Sequence, residues 1–301
     1  MAMTGEQLGE AAAIGAAVLW TVSTLAWTSA GRYVGALAVC FVRLVLACVL
    51  LATYGQWARG SWWPSDASAA TWLVLGSSGF AGFFVADLLV FKALLLIGPR
   101  LSLVLQSLTP PLAALISWAW LGERLTGWQW LAMGVTLAGV VWVVLERPDR
   151  PTDLPSPHPT AQGILLAALG AAAAAVALVL SKIGLGAYDA VAATLIRVLG
   201  GLAGMAPLIT AARRWPSVLA AVRHGRAMVI MAFGSVVGPF LGVVLYLVAL
   251  RHCPAGVVAT ILATMPVLVL PAVIVVYHEK VSLRAVGGAV LSVVGVALLV
   301  L

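Results

Sequence analysis

The chain reads as an all-α integral membrane protein, with ten transmembrane helices arranged as two inverted five-helix repeats. Two observations carry this reading. Of 301 residues, 63% are hydrophobic and only 9% charged, with a mean hydropathy of +1.10, which leaves too little polar surface to cover a water-soluble globule. The stretch 106–125, QSLTPPLAALISWAWLGERL, also returns in design as 262–281, LATMPVLVLPAVIVVYHEKV. Pro110 recurs as Pro266, Glu123 as Glu279 and Gly139 as Gly295, each pair 156 residues apart.

A hydrocarbon core of roughly 30 Å takes about 20 apolar helical residues per crossing. The apolar runs here are broken by short turns at that interval, and none shows the alternating polarity of barrel strands. The spans in order are 8–29, 33–54, 70–97, 101–121, 128–145, 162–183, 191–210, 227–250, 255–277 and 282–301. The first follows Glu6 and Glu10 rather than a basic segment, so it is expected to be a retained helix and not a cleaved signal peptide.

The proline-rich, charged stretch 146–160, ERPDRPTDLPSPHPT, suits neither a helix nor burial in lipid, and serves as a linker between a first repeat, 1–145, and a second, 161–301. Arg43 matches Arg197 at a spacing of 154 residues and Gly82 matches Gly238 at 156, so two extra residues enter between these blocks, most simply between the second and third helices. With five spans per half, the second half enters from the opposite face. That is the inverted topology of secondary transporters, which hold substrate near the bilayer midplane and expose it alternately to the two sides.

These residues carry a resemblance. Trp20 in the first helix, Arg43 and Arg197 in the second and seventh, YLVALRHCPAG (246–256) closing the eighth, and the pattern from Pro110 to Arg124 echoed from Pro266 to Lys280 resemble the EamA-type repeat of the drug/metabolite transporter superfamily. The chain departs from that pattern after Trp20, where it has Thr21, Val22 and Ser23, and at YHEK, which lacks the glycine before its glutamate. The resemblance implies a ten-helix transporter of small molecules in the bacterial inner (plasma) membrane.

Several residues are candidates for the pathway. Arg43 and Arg197 lie inside spans, where an arginine costs about 2.5 kcal/mol or more unless it faces the bundle interior and finds a partner. The pair either attracts a carboxylate-bearing substrate or holds the scaffold. Asp87 is the one carboxylate well inside a span, and its repeat mate is Val243. It either couples protons or binds a cationic substrate, or else neutralises Arg43 or, less favourably placed round the helix, Lys92.

Pro110, Pro111, Pro266 and Pro271 break the fourth and ninth helices and free carbonyls, which is tolerable where backbone lines a cavity. Gln106, Ser107 and Thr109 before one break, and Thr260 and Thr264 before the other, are the polar groups best placed to meet a substrate. Trp20 and Tyr246 either form an aromatic wall or pack against neighbours. Gly234, Gly238 and Gly242 form a stripe expected to pack inside the chain. Glu123 and Glu279 suit turns at helix starts. Trp57, Trp62, Trp63, Trp72, Trp118, Trp120, Trp128 and Trp130 flank two loops on one side and read as an interfacial belt.

Loop cations are denser on the side away from the termini, which by the positive-inside rule places both termini outside, whereas the resemblance implies cytoplasmic termini. No phosphate-cradling GxxxxGK[ST] loop is present, and the four histidines fall in loops or at helix ends, so neither ATP hydrolysis nor a membrane-embedded enzyme is expected. Inverted duplication within one chain also argues against a channel. The three cysteines suggest neither a disulfide framework nor a metal site. The expected function is secondary transport, first as an exporter of metabolites such as amino acids, alternatively as proton-coupled efflux of lipophilic cations or drugs. Expected partners are a small-molecule substrate, the lipid bilayer and, under the second reading, protons; no metal, cofactor or nucleic acid is expected, and the chain is expected to act as a monomer.

Overall fold

The computed structural model describes residues 5–121, 126–145, 160–253, 258, 261–262, 264–265, 267–269, 274 and 282–298. Every regular element among them is helical. The first half contains α1 (Gly5–Val34), α2 (Ala36–Arg59), α3 (Ala69–Gly79), a π-helical turn (Phe80–Ala86), α4 (Asp87–Gln106, broken at Gly98, where φ is 77° and ψ 168°), α5 (Thr109–Leu121) and α6 (Gly127–Leu145). The second contains α7 (Ala161–Leu185), α8 (Ala190–Ala211), α9 (Trp215–Arg223), α10 (Gly225–Ser235), a second π-helical turn (Val236–Gly242), α11 (Val243–His252) and α12 (Leu283–Leu298).

Local chemistry sets these ends. Ser68, Thr160 and Asp189 each accept a hydrogen bond from the backbone N–H three residues on, satisfying a donor that the first helical turn leaves free. Gly60 closes α2 at a φ of 69°, a left-handed conformation that glycine adopts without a Cβ penalty.

Among the described residues, seven helices are long and apolar enough to cross a membrane: Gln7–Val34, Ala36–Arg59, Ala69–Gly98, Leu101–Trp120, Ala161–Leu185, Ala190–Ala211 and Gly225–His252. Two shorter apolar helices, Trp130–Gly139 and Val286–Gly295, fall within the expected fifth and tenth spans. Most of the expected ninth span, with the glutamates Glu123 and Glu279, lies outside the described residues.

Two local expectations are corrected. The first span does not end at residue 29 but stays helical to Val34, because the reversal is made by Gly35 alone, at φ 81° and ψ 160°. The stretch 211–226, read as a loop, contains α9, started by Pro216 in its first turn, where a missing N–H costs nothing. Val218 and Ala221, three residues apart on one face, are the positions α9 buries. At nine residues it is too short to register as a span.

Matched residues of the two halves meet reciprocally. A methyl group on Gly139 would collide with the backbone of Ser292, and one on Gly295 with that of Thr136. Thr136 and Ser292 are themselves 156 residues apart, and contact of a with b′ and a′ with b is what a two-fold axis generates. The two π-helical turns occupy matched positions, as do the helix breaks. Leu108 N–H donates to Leu105 carbonyl at 3.1 Å, and Thr264 N–H donates to Ile261 carbonyl at 3.1 Å.

A polar cluster ties the halves together at the ends of the spans. Arg59 donates to Asp66 at 2.5 Å, the Tyr188 hydroxyl donates to the other Asp66 oxygen at 2.9 Å, and Arg251 donates to the Tyr188 carbonyl. Hydrogen bonds from Arg59 and from Tyr188 hold the Asp66 carboxyl below its ordinary value, which is about 3.9. Burial, helped by the bond to Asp66, pushes the Tyr188 hydroxyl up to about 12, so it remains a donor across the physiological range. A depressed carboxyl stabilises fully above its unfolded pKa and loses that contribution as pH falls through its folded one. The Asp66 side chain is 55% exposed, so solvent screening limits the contribution to a few tenths of a kcal/mol. Asp66→Asn is therefore expected to melt slightly below the parent at neutral pH, with the two thermal-denaturation curves converging as the pH drops below about 4.

Candidate functional site

Between the halves lies a cavity of about 260 Å³, slightly under the roughly 300–1,000 Å³ usual for small-molecule pockets. Its first wall is α1. Trp20, Thr24 and Trp27 are spaced three, four and seven residues apart and so share one helical face. That face inserts its rings into the stripe on the facing helix: a methyl group on Gly234 or Gly238 would strike the Trp27 ring, and one on Gly242 the Trp20 ring. The stripe thus packs within the chain, and the close approach it allows brings Tyr246 to 5.3 Å from Trp20 between ring centroids, tilted by 40°.

Arg43 on α2 is 2% exposed. It donates through Nη2 to Asp87 Oδ2, and its guanidinium stacks 4.4 Å from the Trp27 ring and 4.8 Å from the Phe91 ring. The structure thus selects Arg43 rather than Lys92 as the partner of Asp87. Lys92 is exposed.

Arg197, the repeat mate of Arg43, has different surroundings. It is 6% exposed, and its Nε donates to Ser78 Oγ at 3.2 Å. Ser78 lies 2.8 Å from both the Ser181 hydroxyl and the Ala177 carbonyl, to which Ser181 also donates, at 2.7 Å. Its guanidinium lies 5.1 Å from the Phe83 ring and 5.9 Å from that of Tyr246. Where Asp87 stands after the first π-helical turn, Val243 stands after the second. Among the described residues, no carboxylate lies within salt-bridge distance of Arg197.

The break in the fourth helix forms another wall. The turn at Ser107 and Leu108 separates α4 from α5, and Gln106 Nε2 and Thr109 Oγ1 donate to the Ala167 and Ala171 carbonyls of α7 at 3.3 and 3.4 Å.

Nine sequence-derived residues line this one cavity: Trp20, Arg43, Asp87, Gln106, Ser107, Thr109, Pro110, Arg197 and Tyr246. Pro111 is buried but lies off its wall. Thr264 bonds its hydroxyl to the Ile261 carbonyl at 2.7 Å, and it is the neighbouring Leu262 and Met265 that face the space. Thr260, Pro266 and Pro271 lie outside the described residues. Sequence reasoning passed over Thr24, Phe83 and Phe91 and left Trp27 off the pathway, although its seven-residue spacing from Trp20 was a usable signal.

A multi-pass helical bundle made of two repeats, with buried charges converging on the space between them, has the architecture of a membrane transporter. The chain belongs to the EamA-like transporter family, whose model matches residues 7–145 and again 161–301. A solved structure described only as "Crystal structure of protein" is 22% identical, with a TM-score of 0.62 over 96% of this chain and 95% of its own. At that identity it shows the fold. No curated protein sequence matches the chain.

Proposed function

We propose that the protein is a secondary transporter exporting small metabolites, amino acids or related carboxylates foremost, by alternating access of the central cavity. Ten spans in two inverted halves, 1–145 and 161–301 joined by 146–160, rock about that cavity as a monomer in a bacterial inner membrane. The observation that carries this reading is the charge of the cavity wall: Arg43 and Asp87 neutralise each other while Arg197 has no carboxylate within salt-bridge distance among the described residues. One net positive charge in a site of low dielectric attracts an anionic group and repels a cation. The reciprocal packing of Gly139 on Ser292 and Gly295 on Thr136 supports the rocking motion, because a two-fold relation lets the halves exchange roles.

The test is flux in inside-out vesicles against a panel of amino acids and lipophilic cations, comparing the parent with Asp87→Asn. Amino-acid flux that persists in the variant supports the proposal. Proton-driven cation transport that the variant loses would make the protein a drug-type antiporter with Asp87 as its coupling acid.

A further inference from the structure

Chemically different groups occupy equivalent places in the two halves. The repeat puts one arginine in each half, but among the described residues only Arg43 of the two forms an ion pair, and Val243 stands where the acid would be in the second half. Around Arg197 the Ser78 hydroxyl, itself 2.8 Å from that of Ser181, accepts from the guanidinium Nε, while Nη1 has no hydrogen-bond partner among the described residues. Leaving such a buried charged donor unpaired is costly, and a ligand acceptor removes the penalty. Trp27 Nε1 and Arg43 Nε, also on the wall, are likewise donors without a partner among the described residues, as is the Ser107 hydroxyl, which can donate or accept. A carboxylate placed at Arg43 would sit beside the like charge of Asp87; at Arg197 no carboxylate among the described residues lies within salt-bridge distance.

We infer that Arg197 is the receptor for a single carboxylate, that the adjacent Trp20 and Tyr246 rings receive the apolar body attached to it, and that Asp87 sets specificity by denying Arg43 to a second carboxylate. This rests on the transport reading above and names the substrate class, an apolar monocarboxylate. A free acid and a zwitterionic amino acid share that chemistry, so the test carries both.

The experiment is binding to the purified full chain in lipid nanodiscs, using 3-phenylpropionate, L-phenylalanine and the dicarboxylate phenylsuccinate as probes. The parent is expected to bind at least one of the two monocarboxylate probes and to prefer it to phenylsuccinate. Arg197→Gln is expected to weaken that binding about tenfold or more, the loss of a charge-assisted hydrogen bond, with partial recovery in Arg197→Lys. Asp87→Asn frees Arg43, so phenylsuccinate should gain about tenfold over the parent and raise the melting temperature of that variant. Because Asp87→Asn leaves a buried cation, the paired change Arg43→Gln with Asp87→Asn gives a second measure: it should keep more monocarboxylate affinity than Arg197→Gln does.

Binding retained by folded Arg197→Gln, or lost in the paired variant while Arg197→Gln keeps it, overturns the assignment of Arg197 and leaves carboxylate transport standing. An Asp87→Asn variant that folds and gains nothing for phenylsuccinate overturns the role given to Asp87. A parent that binds none of the three probes overturns the inference and the carboxylate reading together.

Discussion

Asp87→Ala is expected to destabilise the folded protein by about 3 kcal/mol, because it strands the Arg43 guanidinium in the bundle without its counter-ion. Two rings flank that guanidinium, Trp27 at 4.4 Å and Phe91 at 4.8 Å. Their cation–π attraction of about 0.5–2 kcal/mol softens the loss without replacing an ion pair. The remedy distinguishes mechanisms. Removing both charges together, as in Arg43→Met with Asp87→Leu, deletes the desolvation penalty along with the attraction and is expected to recover most of the stability. Thermal denaturation in one detergent of the parent, both single variants and the double forms a cycle that isolates the pair. Additive losses in the double variant would show that Arg43 and Asp87 contribute separately.

The repeat was legible because a duplicated sequence leaves the same landmark twice at one spacing. Gly139 with Gly295 needed no structure to be paired, and the fold puts each against the other half. The burial of Arg43 and Arg197 was legible for a different reason: an arginine within a span has few tolerable places, so its presence predicts an interior one. Which partner each arginine takes was not legible. Arg43 and Asp87 are 44 residues apart, and the helical offset of Lys92 from Asp87 disfavoured Lys92 as the counter-ion without selecting Arg43. Only the packing of α2 against α4 decides.

Knob-and-hole contacts were half legible. The glycines at 234, 238 and 242 announce a close approach, but that Trp20 and Trp27 fill it depends on a contact across more than 200 residues. The two π-helical turns gave no signal, since FAGFFVA and VVGPFLG align only a phenylalanine, a valine-or-alanine register and Gly82 with Gly238 in loosely similar apolar surroundings. Such turns arise where packing favours one extra residue in a helix and lie often at functional sites. The first runs directly into Asp87. The belt tryptophans were the easiest, because exposure in a membrane helix needs only an amphipathic ring at a loop: Trp57 is 82% exposed and Trp62, Trp63, Trp118, Trp120, Trp128 and Trp130 are exposed with it, while Trp72 is half-buried and stacked on Trp63.

Gly79→Ala is expected to cost about 3 kcal/mol and to perturb the site from a distance, although it adds one methyl group to a membrane helix. That methyl would overlap the carbonyl of Arg197, and one on Gly200 would overlap the carbonyl of Gly76, so α3 and α8 touch backbone to backbone. A side chain in the way can change rotamer, but a backbone carbonyl cannot, and relief requires the helices to separate. Because the atom displaced belongs to Arg197, the separation moves the guanidinium off Ser78, and transport should fall in folded protein as well as stability. The same substitution at Gly134, where a methyl meets nothing within 4 Å, is expected to stabilise α6 by about 0.5–1 kcal/mol, the ordinary helix preference for alanine over glycine. Opposite shifts in melting temperature for one chemical change would place the cost in the α3–α8 crossing. Equal shifts would mean that the two helices can part without consequence.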